Sequence, residues 1–173
     1  MNYKIIIFIL IILLVFIVQN AFLDNLSFFF FSFNLLLITL VLLVDLADFK
    51  LALWFSLVGG FLLDTYSSLP FGIFLLTLFL TAIVLKFLFF NFFTNRSLYS
   101  LIILGLVAVL VYQGGFLLLS SLFYLLGFSD FLAGWSFIWL ISAQLVNMTI
   151  VLTVSFWLIN KLSKFFKPIF LKS

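Results

Sequence analysis

The chain has 173 residues, 68% of them hydrophobic and only 8% charged, with a formal net charge of +3. A water-soluble globule carries about a quarter of its residues as charged side chains, so this composition excludes one and points to a membrane protein. Cysteine and histidine are absent and all acids are aspartates, which excludes disulfides, zinc or haem sites, and nucleophiles activated by an imidazole.

A helix that crosses a hydrocarbon layer of about 30 Å needs roughly 20 residues. Cut at their few polar interruptions, the apolar runs predict six such helices, an all-α bundle with no soluble domain. The first runs from about Lys4 to Leu23; lacking a small-x-small cleavage site after Val18, it reads as an uncleaved anchor. The second covers Phe28 to Val44, and the turn after it holds Asp45 and Asp48. These two acids read as a solvated turn, with Asp48 placed to cap the next helix and Lys50 within reach. The third helix covers Phe49 to Tyr66. After Ser67, Ser68 and Leu69, the fourth is expected from Pro70 to Phe93, with Pro70 in the first turn, where its missing N–H costs nothing. The fifth covers Leu98 to Leu126 and the sixth Ser136 to Asn160. Short connections make sequential helices antiparallel neighbours.

Residues 1–160 thus form the expected transmembrane domain, and residues 161–173, with interleaved lysines and apolar residues, a basic amphipathic tail on the cytoplasmic headgroup layer. With the N-terminus inside, Lys4, Lys50, Lys86, Arg96 and the tail lysines all fall at the cytoplasmic face, as retention of cations on that side requires. Both termini are therefore expected in the cytoplasm. Cations scattered in this way give no reason to expect a nucleic-acid partner, and no cofactor is expected.

The polar residues inside this apolar chain need a reason. In GGFLLDTYSSLPFG, residues 59–72, Gly60 and Asp64 continue from Ser56 a recurrence at every fourth residue, and the three share a helix face. Small residues let a neighbouring backbone approach, which is how helices pack when lipid offers no hydrophobic drive. An acid in the outer third of the membrane is costly, so Asp64 should face the bundle interior, protein dipoles or an outward crevice. It could equally end its helix at the interface, with Ser67, Ser68 and Pro70 making the turn. Gln113 lies at similar depth, as do Gln144 and Asn147, which are three residues apart on one face. They read as a polar seam of interhelical hydrogen bonds, the commoner role for buried amides.

The same segment resembles the signature of the rod shape-determining MreD family, in which a glycine-containing helix ends in an aspartate, followed by a small polar turn and a Pro-x-Gly that opens the next helix. The matching positions are Gly60, Asp64, Ser67, Ser68, Pro70 and Gly72. Gln19 late in the first helix and Asn147 in a last helix ending in lysines are weaker points of similarity. The family often has a Pro-Asp pair opening its second helix, where this chain has Phe33-Asn34. The resemblance implies a non-enzymatic, multi-pass protein of the bacterial inner membrane that belongs to the elongation machinery. Its partners would be an MreC-like protein with a single membrane span, the actin-like MreB filament and peptidoglycan synthases, with Gly60, Asp64 and Pro70 shaping the outer side.

The six-helix substrate-binding component of energy-coupling-factor vitamin importers is a rival similarity. Against it, the first helix lacks that group's alanine-x-x-x-alanine surface and the outer loops are short. A coupled carrier would need more intramembrane charges or repeated halves. No nucleophile, base or metal set can be assembled from five aspartates, so no enzyme is expected.

Overall fold

The computed structural model of the protein describes residues 10, 12–23, 33–46, 49–92, 97–127 and 136–170. Among them the chain is all-helical, with no strand. Helix α1 comprises residues 12–17 and continues into a π-helical stretch, Val18–Leu23. It is followed by α2 (Leu35–Leu46), α3 (Phe49–Tyr66), α4 (Ile73–Phe92), α5 (Leu98–Leu125) and α6 (Ser136–Phe170). Three stretches are long and apolar enough to cross a membrane: Ile73–Phe92, Leu98–Leu125 and Phe137–Leu158. Asp24, Asp48, Arg96 and Asp130 lie outside the described residues, as do the two helix ends at Lys4 and Phe28.

Helix α2 is the hub. It packs against α3, α4, α5 and α6, and Leu36, Leu37, Leu40 and Val41 are wholly buried. A helix apolar on all sides has no reason to prefer one face, and burial among several neighbours is the arrangement that suits it. At 12 residues it rises about 18 Å, less than a hydrocarbon core. Around it, α3, α4, α5 and α6 pack each against the next in chain order, the short-connection pattern of an antiparallel bundle.

Several boundaries differ from expectation, each for a local reason. Asn34 is not helical; its carbonyl accepts from the Ile38 N–H at 3.1 Å and its Oδ1 from the Leu37 N–H at 2.9 Å, so it caps α2 and the helix starts after it. Asp45 does not lie in a solvated turn. It belongs to the last turn of α2 and is only 8% exposed, because α2 runs on to Leu46 inside the bundle. Pro70 is outside α4, not in its first turn: Gly72 has φ +104°, a conformation that no right-handed helix contains, so α4 begins at Ile73. Helix α6 does not stop at Asn160 but continues unbroken to Phe170, carrying Lys161, Lys164 and Lys167. Its 35 residues rise about 52 Å, so one end must project beyond a hydrocarbon core.

At the end of the bundle opposite Asp64, the Lys86 ammonium lies over two aromatic rings, 3.4 Å from the Phe90 centroid and 4.8 Å from that of Phe49. Such cation–π contacts stabilise a cation among apolar groups. They seat Lys86 against the first residue of α3, near Lys50.

Candidate functional site: the capped hairpin and its cleft

The turn between α3 and α4 is built around Asp64, which is 4% exposed. Its Oδ1 accepts from the Phe74 N–H at 2.9 Å and its Oδ2 from the Leu75 N–H at 3.0 Å. The first N–H groups of a helix have no partner within it, and a side-chain oxygen at the preceding residue normally satisfies one of them. Here the preceding residue is Gly72, which has no side chain. Its carbonyl accepts the first helical bond, from the Leu76 N–H at 2.9 Å, while the acceptors come from Asp64, at the end of the previous helix. A carboxylate also suits the positive end of the helix dipole.

Gly60, one turn before Asp64, makes this reach possible. A Cβ added there would lie 2.5 Å from Leu75 Cα and 3.1 Å from both Leu75 N and Phe74 O. The two backbones therefore touch at Gly60, and that contact brings the start of α4 to the carboxylate. Gly72 has open space around it, so its requirement is conformational. Replacing it with alanine is expected to cost about 1–2 kcal/mol of backbone strain, read as a lower unfolding temperature in detergent with the hydrogen bonds to Asp64 intact.

The rest of the turn is simpler. The Ser67 N–H continues the helical ladder to the Leu63 carbonyl at 2.9 Å, and Ser67 Oγ accepts from the Leu69 N–H at 2.9 Å. Ser68 is exposed, and Pro70 separates this turn from Gly72. Outside it, Phe61 and Phe71 meet edge to face with centroids 5.7 Å apart.

A second helix start is capped from outside in the same way. Gln19 Oε1 in α1 accepts from the Leu36 N–H at 3.0 Å, alongside the bond Asn34 makes. Tyr112 of α5 is 5% exposed and lies beside Gln19 and the Ser67–Ser68 turn. Gln19, Tyr112 and the Ser67–Ser68 turn line a cleft of about 410 Å³ that opens to the exterior. Sequence reasoning noted Gln19 only as a point of similarity and overlooked Tyr112. A tyrosine in an apolar helix carries no local signal of what its hydroxyl reaches.

The buried amides do not turn to Asp64, whose oxygens are taken by backbone. Instead the Gln113 amide donates to Gln144 Oε1, joining α5 to α6. Asn147, 2% exposed, stands on the same face of α6. Phe74, Phe116 and Phe137 stack from α4 to α6 with centroid separations of 5.5 and 6.2 Å. Changing Gln113 or Gln144 alone to leucine is expected to cost about 1 kcal/mol, because one buried amide is left unpaired, and changing both should recover most of it. A double-mutant cycle on thermal unfolding in detergent checks this.

The described residues hold no group of three or more histidine, cysteine, aspartate or glutamate side chains that could bind a metal. Comparison with protein-family models, curated proteins and solved structures finds no match to this chain.

Proposed function

We propose that the chain is a non-enzymatic, multi-pass component of the bacterial inner membrane that acts in the cell-shape machinery, in the manner of the MreD family. In this reading all six helices lie in the membrane, both termini are cytoplasmic, and the protein links an MreB filament and an MreC-like single-span protein to side-wall peptidoglycan synthases. The observation that carries the reading is the hairpin lock. The residues of the resemblance, Gly60, Asp64 and Gly72, act together at one place, as a motif does, and not as three incidental residues. Asn34, which caps α2, departs from the pattern, standing where that family often has the aspartate of a Pro-Asp pair.

The mechanism is recognition of a partner helix by a rigid surface. Membrane helices associate through close packing and a few polar contacts, so a partner's span needs a bundle whose helices do not shift. Capping α4 from α3 and α2 from α1 fixes the outer ends of both hairpins. The cytoplasmic lysines would then lie beside anionic lipid and the filament.

Gentle extraction of the tagged protein from its own host, with identification of what co-purifies, tests the proposal. Recovery of an MreC-like protein or a peptidoglycan synthase is expected. Recovery of a coupling subunit with ATPases would overturn it in favour of a vitamin-importer component.

A further inference from the structure

The cleft between α1, α3 and α5 contains an unused pair of hydrogen-bond donors. Gln19 is 8% exposed and lines the cleft. Its Oε1 caps Leu36, and among the described residues no acceptor meets the N–H donors of the same amide. The nitrogen is not an enclosed orphan, since Ser100 Oγ is the one such side-chain atom among the described residues; it is open to the cleft, and its two donors are available to whatever enters there. Gln19 is also the second residue of the π-helical stretch Val18–Leu23, and such widened turns occur often at functional sites.

The lining decides what could bind. Tyr66, Ser67, Ser68 and Tyr112 contribute hydroxyls, Leu63 and Phe74 contribute apolar walls, and no lysine or arginine among the described residues borders the cleft. Donors and hydroxyls without a cation suit a neutral oxygen acceptor better than a phosphate, whose charge would go uncompensated.

We infer that this cleft binds the neutral, oxygen-rich part of a membrane amphipath, an acyl-glycerol ester or a sugar headgroup, with the Gln19 amide donating to it. The site stands on Gln19 and its surroundings and does not depend on the partner assembly proposed above.

The test uses the full chain, stripped of co-purified lipid and placed in phospholipid nanodiscs. Three probes are titrated and followed by native mass spectrometry and thermal shift: monooleoylglycerol, octyl glucoside and the anionic lysophosphatidate. One molecule of a neutral probe is expected to bind per chain, saturably. Preference for monooleoylglycerol identifies an ester source, and preference for octyl glucoside a sugar source.

Gln19→Glu keeps an oxygen to cap Leu36 but removes the donors, so neutral-probe affinity should fall about tenfold while the unfolding temperature without probe changes little. Ser68→Trp, at an exposed position that makes no hydrogen bond to the described residues, should block the mouth without disturbing the fold. Equal or tighter binding of lysophosphatidate would overturn the inference. So would neutral-probe binding that is absent from the wild type or unchanged in both variants.

Discussion

Asp64→Ala is expected to uncap α4 and loosen the α3–α4 hairpin. The part-buried Phe74 and Leu75 N–H groups would lose their acceptors, and each stranded donor costs about 1–3 kcal/mol. The loss should therefore be about 2–4 kcal/mol, read as a lower denaturation midpoint in mild detergent. Membrane insertion should not change, because it follows the apolar content of the helices and not one cap. If the proposed function holds, partner recovery should fall in parallel. Asp64→Asn retains one acceptor oxygen and should fall between the two. An alanine variant with the wild-type midpoint would mean that the cap does not hold the hairpin, leaving Asp64 as a mere helix end.

The second large effect is expected at Gly60. Alanine there places a methyl group 2.5 Å from the Leu75 Cα, and because the obstacle is backbone, no side-chain rotation relieves it. The start of α4 must move away, and its N–H groups leave the Asp64 oxygens as it does. Overpacking of this kind costs about 1–3 kcal/mol. Since the methyl acts partly by breaking the cap, its cost should shrink in a chain that already carries Asp64→Ala. A double-mutant cycle of Gly60→Ala and Asp64→Ala measures this coupling, and strict additivity would show that close approach and capping are independent.

Both expectations depend on a relation that the sequence contains but does not display. The face shared by Gly60 and Asp64 is legible from their spacing, because side chains four residues apart stand above one another on any helix. That the Asp64 carboxylate meets the backbone ten and eleven residues later is not legible, because it depends on how the chain turns at Gly72. The expected helix start at Pro70 shows the difficulty. Proline favours a first turn in general, but a glycine at positive φ two residues later delays the helix and hands its capping to the preceding one.

What the sequence determined by itself is the helical content, the long apolar stretches of α4, α5 and α6, and the positions of most helix ends, because hydropathy and polar interruptions are sums over neighbouring residues. Tertiary structure decided which polar groups satisfy one another: Asp64 with the start of α4, Gln19 with the start of α2, Gln113 with Gln144. It also decided that Asp45 is buried and that α2 occupies the centre. The physical reason is one and the same. In an apolar bundle every exposed N–H and amide must find an acceptor, and the residue that supplies it is chosen by which helices touch, at separations that local periodicity cannot reach.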